Sequence, residues 1–288
     1  MTELPSLRLR SDDKVLYVDI AHPPMNLLDA ALFGQLNHLV GELERDSATS
    51  VVVFGSADPD YFLAHYDIED LLGRAAPLQA RAGGLKPFHQ LLERYRALPQ
   101  VTIARIEGRA RGAGSEFALA LDLRFAAVET AVLGQFEVAV GLLPGGGGTQ
   151  NLPPLVGRGR ALVIIVGGED MDAELAERYG WINRGMPADQ LAGFVDSLAA
   201  RIAGHPRDAV RLAKRSVDAA AAGRYEGLRE ESELFARLLA APEAVQRLRA
   251  FLAAGGQTRA GELSLDGVLT EMGSGSPQAA GTPEVAET

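Results

Sequence analysis

A mixed α/β fold is predicted from three features of the chain. Short β-branched runs such as Val101–Ile106 alternate with stretches of helical apolar period such as Pro87–Leu98. Glycine, proline and small polar residues mark the boundaries between them. With 288 residues, 47% of them apolar and 23% charged, the chain has an ordinary globular balance and is long enough for one large domain, or one domain with an appendage.

The elements follow in order. Leu7–Arg10 and Val15–Ile20 read as strands joined by the polar turn Ser11–Lys14. Pro23 and Pro24 prevent regular helix through 21–28, and Asp29 is placed to cap a helix reaching about Arg45. Ser50–Gly55 carries the apolar run of a strand covered on both faces. Arg74–Gly84, rich in Ala, Gly and Gln, is expected to form a loose cover. Leu123–Val128 is a further strand, and Gly148 starts a helix that Pro153 and Pro154 complicate. Beyond Gly157 the periodicity is helical over Arg158–Val166, Asp172–Tyr179, Pro187–Ile202, Pro206–Ala222, Glu226–Ala240 and Pro242–Ala253. The end from Gly273 to Thr288 opens on Gly-Ser-Gly-Ser-Pro and is expected to be disordered.

Composition narrows the chemistry. There is no cysteine, which excludes disulfides, thiolate nucleophiles and cysteine-ligated zinc. Met1–Arg10 has no apolar signal core and no apolar run approaches a membrane span, so a cytoplasmic protein without a membrane partner is expected. A net charge of −10 argues against general nucleic-acid binding, although a local basic cluster could still hold a phosphorylated ligand. Gly145–Gly148 lacks the lysine of a P-loop, and Gly112-Ala113-Gly114 lacks the third glycine of a dinucleotide fingerprint. Ser115 stands outside any Gly-x-Ser-x-Gly elbow, and no His-x-x-x-His pattern suggests a metal.

The chemistry centres on Gly108–Asp122, which follows the strand Val101–Ile106. Small residues at Gly112, Ala113 and Gly114 let another group approach the free N–H groups at a helix start, a place suited to a developing anion. Glu116 in the first helical turn could simply complement the helix dipole at the surface. A second carboxylate, Glu137, lies in another apolar and glycine-rich stretch. Two acids so placed are the parts needed for acid and base work on one water.

Gly108-x-Ala110-x-Gly112-Ala113-Gly114-Ser115-Glu116, combined with Gln135-Phe136-Glu137-x-x-x-Gly141-x-x-Pro144-Gly145-x-Gly147-Gly148-Thr149-Gln150, resembles the crotonase, or enoyl-CoA hydratase/isomerase, superfamily. The similarity runs from about residue 8 to about residue 255. It implies a crotonase-like spiral of β-β-α units over 1–205, a helical oligomerisation region over 206–272, and assembly as a homotrimer or dimer of trimers. Trp181–Arg184 matches a strand of that family.

The resemblance further implies an enoyl-CoA hydratase acting on an acyl-CoA thioester, with no cofactor beyond the CoA of its substrate. Glu116 and Glu137 would be catalytic, the backbone N–H groups of Tyr66 and Ala113 would form the oxyanion hole, and the N–H of Gly145 would position water. A Pro-x-Asn-x-Leu loop places Met25, Asn26 and Leu27 along CoA. The family's Phe-x-Ala-Gly-Ala-Asp-Ile-Lys pattern matches at Phe62, Ala64, Asp67 and Ile68, while His65, Tyr66 and Glu69 replace its glycine, alanine and lysine. Ala64, His65, Asp67, Ile68, Gly112 and Gly114 complete the expected substrate contacts. Glutamate at both acid positions favours a hydratase over an isomerase, another lyase or a hydrolase, while the altered Ala64–Glu69 segment leaves a catalytically weak CoA-binding protein as the other reading.

Overall fold

The computed structural model describes residues 4–79, 84–218 and 224–274. Strands β1 (Leu7–Asp12) and β2 (Val15–Ile20) form an antiparallel hairpin. The chain then runs through β3 (Val51–Ser56), β4 (Tyr61–Leu63), β5 (Val101–Ile106), β6 (Arg109–Arg111), β7 (Leu123–Ala127), β8 (Val132–Gly134), β9 (Met171–Asp172) and β10 (Arg184–Met186). Among the described residues these strands build a six-stranded sheet, β1-β2-β3-β5-β7-β10, and a four-stranded sheet, β4-β6-β8-β9.

From β3 onward the chain deals one strand to each sheet in turn, β3 then β4, β5 then β6, β7 then β8. Within each sheet the successive strands of these circuits pair in parallel. Parallel neighbours need a crossover, and helical segments supply it. Helices α2 (Ile68–Gln79) and α3 (Pro87–Arg96) close one circuit, and α4 (Ala113–Ala120) closes the next. This is the spiral of β-β-α units that the resemblance implies.

Alternation along the strands separates two cores. Val51 and Val53 of β3 face helix α8 (Ala188–Ala203), whose Leu191, Val195, Ala199 and Ala203 recur every four residues on one side. Val52 and Phe54 face the opposite core, which holds Leu32, Leu36, Leu39, Val40 and Leu43 of α1 (Ala30–Leu43). Asp29 caps α1, its carboxylate accepting from the Leu32 N–H at 2.8 Å. In that second core the rings of Phe54, Tyr95 and Phe117 meet edge to face, with centroids 5.2 to 5.5 Å apart. The Tyr95 hydroxyl donates to the Leu36 carbonyl at 2.8 Å. Because Phe117 follows Glu116, this packing sets the position of the first turn of α4.

After β8, a 3-10 turn (Glu137–Val140) leads to α5 (Gly148–Val156), α6 (Arg158–Gly167) and α7 (Ala173–Tyr179). The expected strand at Trp181–Arg184 is displaced. Pairing with β7 starts only at Arg184, because Asn183 exchanges hydrogen bonds with Arg124 at 2.8 and 2.9 Å and Trp181 is fully buried in the turn before it.

Helices α9 (Arg207–Asp218), α10 (Arg224–Leu239) and α11 (Pro242–Ala253) sit close to their expected places. Two helices lie beyond them, α12 (Arg259–Leu263) and α13 (Leu265–Ser274), inside the region expected to be helical but with no bounds of their own expected from the sequence. Leu239, Ala244, Leu248, Phe251, Leu265 and Val268 pack on Ile68, Leu71, Phe136 and Val140, so this C-terminal region folds back over its own chain. Of the expected cover at Arg74–Gly84, the part to Gln79 continues α2, and residues 80–83 lie outside the described residues. Gly273 and Ser274 end α13, a correction to the expected start of disorder, and 275–288 lie outside the described residues.

Candidate active site

The turn between β6 and α4 creates the site. Gly112 has φ +48°, a backbone conformation that favours glycine, and a Cβ there would stand 3.3 Å from Glu137 Oε1 and 3.4 Å from His65 Cβ. At Gly114 a Cβ would overlap the Leu63 carbonyl. Without side chains at these two positions, the start of α4 can settle against the end of β4.

Every residue of α4 is buried, including Glu116. The surface reading of this carboxylate therefore fails. Glu116 Oε1 accepts from the Gly146 N–H at 2.7 Å and from the Gly148 N–H at 2.9 Å. Glu137, half-buried, opens the 3-10 turn. Gln135 braces it. With the amide oriented to satisfy both neighbours, its nitrogen donates to Glu137 Oε1 and Oε2 at 2.9 and 3.1 Å while its oxygen accepts from Ser115 Oγ at 3.1 Å.

A cavity of about 120 Å³ lies between these acids. Glu116, Glu137, Tyr66, Ala113, Gly145, His65, Ile68 and Gly112 all line it, and Phe33, Phe88, Phe136, Leu142, Phe235 and Leu248 make much of the remaining wall apolar. Ala113 is the first residue of α4, where a helix leaves its N–H groups without intrahelical acceptors. Tyr66 is oriented by a parallel bridge to Leu28. The Leu28 N–H donates to the His65 carbonyl at 2.8 Å and the Asp67 N–H donates to the Leu28 carbonyl at 3.0 Å. In a trans peptide C=O and N–H point in opposite directions, so the Tyr66 N–H turns away from Leu28.

The remaining expected contacts, Met25, Asn26, Leu27, Ala64, Asp67 and Gly114, do not line this cavity. Asn26 is committed to tying its loop to β3 and β4, donating to Ser56 Oγ at 2.9 Å and to the Tyr61 carbonyl at 3.2 Å while accepting from the His22 N–H at 2.8 Å. Asp67 caps α2 through the Asp70 N–H at 2.9 Å. Met25 and Ala64 pack with Tyr61, Leu27 lies against that cluster, and Gly114 is pressed on Leu63.

Electrostatics couples the acids. Burial first, then the charges of Glu137 and Glu231, hold the Glu116 carboxyl well above the ordinary carboxylate range. Burial and Glu231 push Glu137 up to about 8, opposed by its own N–H and by His65. Two such groups around one cavity favour a state with one proton between them.

Sequence reasoning missed Glu231 and Glu262. Glu231, buried on α10, meets His89 Nε2 at 2.6 Å and accepts from the Thr149 N–H at 3.1 Å. Glu262, buried on α12, meets His65 Nε2 at 2.9 Å. A histidine on the apolar face of α3, in line with Leu92, was the available signal for the first pair. Nothing local pointed to the second.

The order of strands and the two acids on one cavity define a crotonase-type α/β protein. The chain belongs to the enoyl-CoA hydratase/isomerase family, whose model matches residues 10–254. It is 31% identical over 217 residues to the short-chain-enoyl-CoA hydratase of Clostridium acetobutylicum, covering 75% of this chain and 82% of that one. A crystal structure from Streptomyces avermitilis with a provisional enoyl-CoA hydratase assignment is 41% identical, with a TM-score of 0.86, covering 93% of this chain and 98% of that one. Pseudomonas aeruginosa DspI is 33% identical with a TM-score of 0.69, over 81% of this chain and 95% of its own. No helix among the described residues is long and apolar enough to cross a membrane.

Proposed function

We propose that this protein is an enoyl-CoA hydratase that adds water across the C2–C3 double bond of an α,β-unsaturated acyl-CoA. The observation that carries the reading is the convergence of Glu116 and Glu137 on one cavity with Tyr66 and Ala113. The thioester oxygen lies between the N–H groups of Tyr66 and Ala113, which draw electron density from C3. Each such donor contributes roughly 2.7 to 4 kcal/mol at the transition state in a site that excludes water.

Water sits against the two carboxyl groups and the N–H of Gly145. The ionised member of the pair takes a proton from it as the hydroxyl oxygen bonds to C3. The protonated member delivers its proton to C2, so the net change is the addition of one water and the pair exchanges protonation states. The desolvation of buried Glu116 and half-buried Glu137 supports that division, since it disfavours two negative charges. No group beyond the substrate's own CoA takes part. The reading includes a cytoplasmic enzyme that assembles as a trimer or dimer of trimers, and the exposed Leu162, Val163 and Val166 on α6 offer an apolar surface for self-association.

The test is incubation with crotonyl-CoA and longer enoyl thioesters followed by mass measurement. A gain of one water is expected. Double-bond migration without mass change, release of free CoA, or binding without turnover across the panel would each overturn the hydratase reading.

A further inference from the structure

His65 stands where the family pattern carries glycine, and it lines the cavity with almost no solvent contact. Both of its ring nitrogens are engaged. Nδ1 lies 2.8 Å from the Tyr66 carbonyl oxygen, and Nε2 lies 2.9 Å from Glu262 Oε1. A ring that faces an acceptor at each nitrogen donates from both and has no lone pair left to take a proton from substrate.

Its partner is itself anchored. Glu262 Oε1 also accepts from the Gln257 N–H at 2.9 Å, and Arg111 Nη1 donates to the Glu262 carbonyl at 2.7 Å and lies 3.7 Å from Oε2. Asp170 binds the other side of the Arg111 guanidinium. Phe136 and Phe251 hold the imidazole edge-on, with ring centroids 5.4 and 6.0 Å away. Burial works against charge on His65, but Glu262 and the Tyr66 carbonyl together offset it and raise the imidazolium above its ordinary range.

We infer that His65 is a positioning residue which clamps the Tyr66 peptide to helix α12 through Glu262, and so aims the Tyr66 N–H at the thioester oxygen. The inference rests on the hydratase reading. In an extended segment the N–H and C=O of one residue point to the same side, so holding the Tyr66 carbonyl directs its N–H as well. Leu28 fixes the peptide groups on the opposite side of Tyr66. The C-terminal helices, remote in sequence, thereby reach the reacting carbonyl.

The experiment compares His65→Asn and His65→Gln in a Glu262→Gln background, which leaves no carboxylate buried without a counter-charge. The asparagine amide nitrogen occupies the place of Nδ1 and keeps the Tyr66 contact, whereas the glutamine nitrogen replaces Nε2 and loses it. Relative to E262Q, H65N/E262Q is expected to keep kcat within about threefold and H65Q/E262Q to lose about tenfold, with KM within about twofold in both. Infrared spectra should show the thioester carbonyl of a bound, saturated acyl-CoA polarised less in H65Q/E262Q than in H65N/E262Q. Equal kcat and equal carbonyl bands in the two would overturn the inference. If the wild-type protein hydrates no enoyl thioester, the functional reading fails instead, and the carbonyl band still reports on the clamp. Should the double variants not fold, H65N and H65Q alone give the same comparison of bands.

Discussion

Gly148 donates its N–H to Glu116 Oε1 at 2.9 Å, so the first residue of α5 holds a carboxylate from the first turn of α4. The next N–H along, that of Thr149, goes to Glu231 at 3.1 Å. Two buried acids thus share the positive end of one helix, which offsets part of the cost of keeping them from water. This arrangement gives the site a fixed acceptor geometry before any substrate arrives.

Glutamine at either acid keeps the shape and removes the proton chemistry. Glu116→Gln and Glu137→Gln are each expected to lower kcat by about 10² to 10⁴ while the dissociation constant of an acyl-CoA changes little. Steady-state hydration rates with a parallel binding titration check this. Full activity in either variant would remove that residue from the mechanism.

The raised acid at Glu137 makes a signed statement about stability. Its carboxyl titrates at about 8 in the folded protein against an ordinary value of 4.5. Between these values the folded chain holds a proton that the unfolded chain releases, so this contribution is complete below the lower value and is lost as pH rises through the upper one. Glu137→Gln should therefore match the wild type near pH 5 and exceed it above pH 8. Each kcal/mol gained appears as about 2 to 4 °C in Tm for a chain of this size class. Thermal unfolding across that pH range reads the difference.

Gly114 and Gly34 separate close packing from ordinary helix propensity. A methyl at Gly114 meets the Leu63 backbone, which cannot swing aside, so Gly114→Ala is expected to cost about 3 kcal/mol or more. Gly34, exposed on α1, has nothing within 4 Å of the same atom, and Gly34→Ala should stabilise by about 0.5 to 1 kcal/mol. Denaturant unfolding of the two variants gives opposite signs.

At the start of α1, Asp29→Ala is expected to cost about 1 kcal/mol by removing the cap on the Leu32 N–H. Burial opposes charge on Asp29, yet the Leu32 N–H and His22 hold its carboxyl below the usual range. The gain it brings is therefore present above the ordinary value and lost as pH falls through the lowered one. Wild type and variant should converge in acid.

The buried strand at Val51–Phe54, the cap at Asp29 and the helix bearing Glu116 were all legible in the sequence. Each is a local pattern, a short apolar run, a capping residue ahead of a helix, and small residues opening a buried helix, and the two glutamate segments could be recognised by residue type and spacing alone. What no local pattern contains is which distant surfaces meet. Glu231 and Glu262 reach the site from α10 and α12, Phe235 and Leu248 close its wall, Asn26 turns to the end of β3, and Asp67 turns to the helix it caps. Amphipathic period states that a helix buries a face, but the partner of that face depends on how both sheets and the returning C-terminal helices fill space together. The residue types and helical turns that carry the acids were thus determined by the sequence itself, and only tertiary packing decided that they share one cavity and that His65 spends both nitrogens holding it in shape.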